Sequence, residues 1–121
     1  MSFSPALTAI LPCNDLDASE AFYSRLGFVR RQGDDRYRVL IDSRGRMVHL
    51  TAAVTGWLVP GKNPFGLYLY TEEVDALAEA CGDLLRKPPE DKPWGMYEFA
   101  VSDPDHTLVR VGWPSRLRTK A

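Results

Sequence analysis

With only two histidines and two cysteines among 121 residues, the chain has few of the side chains from which metal centres are most often built. Cys13 and Cys81 are too few for a disulfide framework, and two thiolates alone do not close a structural zinc site. No apolar run approaches the roughly 20 residues that a membrane span needs. The opening Met-Ser-Phe-Ser-Pro lacks the basic region and apolar core of a secretory signal. Charge of one sign is missing as well: 15 basic against 16 acidic residues leave a net charge of −1, which supplies no field for steering nucleic acid or a membrane surface. No phosphate loop, dinucleotide fingerprint or Gly-x-Ser-x-Gly elbow occurs. Together these absences predict a soluble cytoplasmic protein that engages neither nucleic acid nor membrane.

What is present is ordinary globular composition, 45% hydrophobic and 26% charged. A chain of this length buries about two-thirds of its unfolded surface, enough for a core without staples, so one domain over residues 1–121 is expected. The basic tail Arg116, Arg118 and Lys120 reads as a solvated terminus. Cys81 falls on the apolar face of an expected helix, as a small buried hydrophobe.

Ala6 to Pro12 reads as a strand that proline ends. Asn14-Asp15-Leu16-Asp17 supplies helix-capping side chains, with Glu20 three residues after Asp17 in the manner of a capping box. A helix to about Leu26 follows, with Ala18, Ala21, Phe22 and Leu26 on one face and Gly27 where a left-handed residue ends it. Strands over Phe28 to Gln32, Arg36 to Ile41 and Arg46 to Ala52 come next, the last with Val48 and Leu50 opposite Met47, His49 and Thr51. Residues 55–63 carry glycine and proline without periodicity and read as a linker.

The second half repeats this order. Gly66 to Thr71 is a strand, and Val74, Leu77, Ala78 and Cys81 recur at helical spacing. Leu84 to Lys87 reads as a short strand, and Pro88 to Pro93 forbids regular structure. Tyr97 to Ser102 and Thr107 to Gly112 then form a hairpin around Asp103-Pro-Asp105. His106 sits in that turn as a residue in or near the left-handed conformation. The halves, 5–54 and 64–113, share β-α-β-β-β order with almost no residue identity.

That order, with Leu11-Pro…Asp15-Leu-Asp-Ala…Ala21-Phe-Tyr…Arg25-Leu-Gly-Phe28, Val59-Pro60, Val74-Asp-Ala-Leu77 and Pro93-Trp-Gly…Glu98-Phe-Ala…Asp103-Pro-Asp105, resembles the vicinal oxygen chelate superfamily over nearly the whole chain. Within that superfamily the chain is most similar to bleomycin resistance proteins. The resemblance implies an α+β glyoxalase/bleomycin-resistance fold, in which two βαβββ repeats form a curved mixed-sheet cup with the helices outside. The scaffold hosts dioxygenases, isomerases, thiol transferases and pure binding proteins, so function has to be argued from the site.

Enzymes of the superfamily hold a divalent metal on four strands. By resemblance those positions fall here at Thr8, His49, Gly66 (or Leu67) and Arg110. One histidine does not make a site, and a permanent cation at the fourth place repels a metal. The expectation is therefore no protein-held metal, no cofactor and no catalytic residue. The alternative is a glyoxalase- or dioxygenase-like metalloenzyme with a degenerate site. For His49 the readings are a polar side chain bonded to a neighbour such as Tyr68 or Thr51, a contact to a ligand, or a metal ligand or general base.

Without a metal the cup is an aromatic pocket with a few polar groups. Candidates for its wall are Tyr37, His49, Tyr68 and Tyr70, then Trp94, Tyr97 and Phe99, with Trp57 and Phe65 reaching it from the linker and Arg110 within it. Tyr68 and Trp94 match aromatic positions of the family's bleomycin-binding groove. The resemblance implies a homodimer that sequesters a flat cationic glycopeptide antibiotic between its subunits. The near-neutral charge and Arg110 favour instead a neutral or anionic ligand, or an Arg110 held internally by Glu98 or another carboxylate. The expected ligand is thus bleomycin-like or another small aromatic or acidic compound.

Overall fold

A computed structural model describes Phe3 and residues 5–119; Lys120 of the basic tail lies outside the described residues. The chain divides into two compact units, residues 1–58 and 59–121, each with βαβββ order. The class is α+β, with one open four-stranded mixed sheet per unit. No described helix is long and apolar enough to cross a membrane.

The first unit contains β1 (Ala9–Cys13), α1 (Leu16–Arg25), β2 (Val29–Gly33), β3 (Tyr37–Ile41) and β4 (Met47–Ala52), in sheet order β1-β4-β3-β2 with β1 parallel to β4. Pro12 does not end β1, which runs on to Cys13. As an edge strand, β1 leaves one row of backbone groups unpaired, and a proline there costs no ladder bond. The cap of α1 is Asp15, whose carboxylate accepts from the Ala18 N–H at 3.1 Å. The expected Asp17/Glu20 box does not form, because both carboxylates turn to Arg38, at 2.8 and 3.2 Å. The buried face of α1 is also rotated from expectation: it carries Leu16, Ser19, Phe22 and Tyr23, while Ala21 is exposed. Against this face lie Leu11, Cys13, Leu40, Val48 and Leu50, all buried. Arg38, only 2% exposed, stands on the same side and is neutralised by the two α1 carboxylates. Between β2 and β3, Gly33 has φ +131°, and a Cβ there would lie 2.3 Å from the Tyr37 carbonyl oxygen, so this close turn requires glycine.

The second unit contains β5 (Gly66–Tyr70), α2 (Val74–Cys81), β6 (Glu90–Asp91), β7 (Met96–Ser102) and β8 (Leu108–Pro114), in order β5-β8-β7-β6 with β5 parallel to β8. The expected strand at Leu84 to Lys87 is absent. A 3-10 turn closes at Leu84, and β6 forms later, between the prolines. Glu90 and Asp91 keep their N–H groups, and two residues suffice for an edge strand against Glu98 and Tyr97. Phe99, Val101, Val109 and Val111 are buried on the α2 side with Val74, Ala78 and Cys81. Arg118 is not a freely solvated tail residue, since its guanidinium carbon sits 3.4 Å from the centroid of the Tyr97 ring and its Nη2 lies 3.8 Å from Asp75.

The hairpin turn between β7 and β8 is organised by Asp103, 3% exposed, whose carboxylate accepts from the backbone N–H groups of Asp105 at 2.8 Å and Thr107 at 2.9 Å. His106 takes φ 64° there, the only described non-glycine residue with positive φ. A Cβ in that conformation costs on the order of 1 kcal/mol. His106→Gly is therefore expected to raise stability by about 0.5–1 kcal/mol, part of the relieved strain being offset by the extra freedom of glycine in the unfolded chain. A thermal or urea melt showing no gain, or a loss, would mean that the histidine side chain holds the turn.

Candidate functional site

The face of the second sheet turned away from α2 is set by strand parity. On β7 it presents Met96, Glu98, Ala100 and Ser102; on β8, Leu108, Arg110 and Gly112; on β5, Gly66, Tyr68 and Tyr70. Its centre is Glu98, 2% exposed although charged. One carboxylate oxygen, Oε1, accepts from the Tyr68 hydroxyl at 2.8 Å and from the Trp94 indole N–H at 3.1 Å. The other, Oε2, lies 3.9 Å from Arg110 Nη1. A carboxylate removed from water needs donors and charge compensation, and here two neutral groups supply the hydrogen bonds and one cation stands nearby.

Tyr68 reaches Glu98 only because residue 112 has no side chain. The phenol crosses β8 over Gly112, opposite Glu98 in the register. A Cβ there would come within 2.2 Å of the Tyr68 oxygen and 2.8 Å of the Glu98 Cβ. Tyr70 packs against Tyr68, with centroids 4.4 Å apart and rings inclined by 31°. Trp94 stands in the turn before β7, where Gly95 has φ +87° and its N–H bonds to the Lys92 carbonyl at 2.9 Å. Trp94 is 59% exposed, yet its ring is fixed at the N–H by Glu98. Lys92 lies 5.9 Å from the ring centroid and pairs with Glu90. Trp94, Lys92 and Glu90 line a groove of about 630 Å³ together with Glu98, Leu108 and Arg110.

Burial, and then the adjacent Glu98 carboxylate, hold the Tyr68 hydroxyl far above the usual tyrosine range. Tyr97 is raised by burial and by its hydrogen bond to Asp75. Folding thus holds both phenols in the neutral form. Their contribution is complete below the ordinary tyrosine value near 10 and is lost as pH climbs through the raised values. Urea melts above pH 10 are expected to show a steeper loss of stability for this protein than for its Tyr68→Phe, Tyr97→Phe double variant; equal slopes would show that neither shift is coupled to folding.

In the first unit, the corresponding face carries Tyr37 and His49. The Tyr37 hydroxyl and His49 Nδ1 are 2.6 Å apart, with ring centroids 5.3 Å apart and nearly perpendicular. The partner of His49 is therefore Tyr37, not Tyr68 or Thr51. Diagonal pairing explains it, since Tyr37 opposes Thr51 and Val39 opposes His49. Trp57 is 81% exposed in the turn after β4, where its N–H bonds to the Val54 carbonyl. Phe65, in the second unit, is 66% exposed immediately before β5.

Two further aromatic candidates lie on β7. Tyr97 and Phe99 share parity with Val101, on the α2 side. Tyr97 bonds to Asp75 of α2 and does not line the groove, whereas Phe99 borders it although the residue is only 3% exposed. The metal-binding places offer poor chemistry in each unit: Thr8 and a tyrosine-bonded His49 in one, Gly66 and a guanidinium in the other. Among the described residues no three His, Cys, Asp or Glu side chains cluster as a metal would require. The residues present do not fit a superfamily metal.

Sequence alone offers Glu98 only as a possible partner for Arg110 and gives no sign of Arg86, Lys87 and Lys92, which line the same groove. Parity with Arg110 across β7 and β8 was a usable signal for Glu98. No periodic signal marks residues 86–92, which adjoin or form a two-residue strand between prolines.

Comparison with known proteins gives a consistent family. The model of the glyoxalase/bleomycin resistance protein/dioxygenase superfamily matches residues 6–111. A comparison with curated proteins finds no match. Among solved structures, the bleomycin resistance determinant encoded on transposon Tn5 is 26% identical, with TM-score 0.78 over 92% of this chain and 98% of that one. A bleomycin-binding protein in complex with bleomycin is 28% identical, with TM-score 0.76 over 91% and 98%. A glyoxalase/bleomycin resistance protein/dioxygenase from Nocardioides shares the fold at 20% identity and TM-score 0.73, over 100% and 91%.

Proposed function

Because this chain belongs to the glyoxalase/bleomycin resistance protein/dioxygenase superfamily, we propose that it is a small-molecule binding protein that sequesters a flat aromatic compound on the open face of its second sheet, without chemical change. The observation that carries this reading is the Trp94 platform. Trp94, 59% exposed, has its large ring held by its own N–H on a buried carboxylate, so its orientation is fixed before a ligand arrives. Such preorganisation lowers the ordering cost of binding. A flat ring laid on it gains about 0.5–1.5 kcal/mol beyond burial. Beside it stand donors and a cation but no nucleophile paired with a base, which suits retention better than turnover.

The likeness to two bleomycin-related structures supports the ligand class, bleomycin itself or another aromatic compound. We further propose a cytoplasmic homodimer. Exposed Ile10, Val29 and Tyr37 in one unit and Tyr70 and Leu108 in the other leave apolar surface for a partner copy to cover. Titration with bleomycin, phleomycin and a panel of aromatic acids, followed by tryptophan fluorescence, tests the reading. At least one is expected to bind with Kd well below about 1 mM; failure of all of them would sink it.

A further inference from the structure

We propose that the groove selects an aromatic ligand carrying an acidic group, a flat aryl carboxylate or comparable aryl anion, laid on Trp94 with its acid on Arg110. This rests on the binding reading above and adds the sign of the ligand's charge. Four cations line the groove, Arg86, Lys87, Lys92 and Arg110, against two carboxylates, Glu90 and Glu98. The groove therefore carries two positive charges in excess, on a chain whose total is −1.

The two carboxylates are also already engaged by groups of this chain. Glu90 is occupied by Lys92. Glu98 is 2% exposed, its Oε1 holds two donors, and its Oε2 faces Arg110. A cation entering the groove would meet guanidinium before carboxylate.

An anion meets the opposite situation. At 3.9 Å the Arg110–Glu98 approach is an ion pair without a hydrogen bond, so the guanidinium fork keeps its N–H groups for a planar acid. The Arg110 side chain is 45% exposed and rises from the same sheet face as Leu108. Arg86 and Lys87 form no ion pair within the described residues and add a second positive edge. Glu98 fixes Trp94 through one oxygen and stands near Arg110 with the other, so ring platform and acid clamp are set by one buried carboxylate.

Three probes of nearly the same shape decide the sign: 2-naphthoate, 2-naphthalenemethanol and 2-naphthylmethylammonium, titrated calorimetrically at low ionic strength, with bleomycin in parallel. The acid is expected to bind at least about 10-fold tighter than the ammonium compound, with the alcohol between them. Arg110→Gln is expected to bring acid and alcohol to the same affinity, Arg110→Lys to keep part of the preference, and Arg86→Gln with Lys87→Gln to flatten the salt dependence. Unchanged melting curves confirm that the variants fold. Ammonium binding as tight as the acid, or an acid preference untouched by Arg110→Gln, overturns the anion inference and leaves the binding reading standing. Bleomycin bound with none of the three probes does the same. No binding by any of the four overturns both.

Discussion

Replacing Gly112 with alanine is expected to destabilise the second unit by about 2 kcal/mol, within the range for overpacking a well-filled site, and to weaken binding of 2-naphthoate. The added methyl would lie 2.2 Å from the Tyr68 oxygen and 2.8 Å from the Glu98 Cβ. Real Cβ atoms do not tolerate either distance. Backbone conformation is not the obstacle, since Gly112 has no positive φ. The strand cannot move away, because Gly112 is paired on both sides, with Tyr70 and with Glu98. Tyr68 must therefore leave, and its hydrogen bond to Glu98 Oε1 and its packing against Tyr70 are lost. A double-mutant cycle separates the two contacts. Gly112→Ala should cost less in a Tyr68→Ala background, because the shorter distance is then relieved, but still cost something, because the Glu98 contact remains. Gly61→Ala, where a Cβ would meet nothing within 4 Å and φ is not positive, provides the control and should change stability by less than about 0.5 kcal/mol. A Gly112→Ala variant as stable as the parent, or one uncoupled from Tyr68, would show that the phenol does not depend on the gap in β8.

The order of elements was legible because each strand announces its faces. Val48 and Leu50 are buried while Met47, His49 and Thr51 look the other way, and Leu67 and Leu69 oppose Tyr68 and Tyr70 across β5. Apolar burial of alternate residues fixes that pattern locally. Glu98 was the harder case, since local rules send a glutamate to the surface. What buries it comes from residues 68, 94 and 110, brought together by a sheet order in which β5 and β7 flank β8, and no window of sequence contains all of them. Tyr97 illustrates a different point, since its hydroxyl bonds to Asp75 of α2. It was grouped with the groove by its chemistry, although its parity with Phe99 and Val101 already assigned it to the helix side. Arg38 shows the same limit in the first unit: its burial depends on Asp17 and Glu20 one helix away, and that demand is what removed Glu20 from a capping role.

Trp94→Ala is expected to lower the affinity for 2-naphthoate by about 30-fold, close to the 2 kcal/mol typical of a tryptophan at the centre of a binding surface, while leaving the melting temperature nearly unchanged. The two effects part company because of where the ring lies. With 59% of the residue exposed, its removal opens no core cavity. Glu98 Oε1 also keeps the Tyr68 hydroxyl at 2.8 Å, so no buried acceptor is orphaned. What is lost is the flat surface itself. Trp94→Phe divides that loss further: it keeps a ring to stack on but removes the N–H that ties the ring to Glu98, and is expected to cost about 1 kcal/mol, roughly a fivefold weakening, the net worth of one hydrogen bond. If binding instead falls less than twofold in Trp94→Ala, the ligand lies elsewhere on the chain. If Trp94→Phe matches the parent, the carboxylate anchor is not what presents the ring, and Glu98 serves Tyr68 and Arg110 alone.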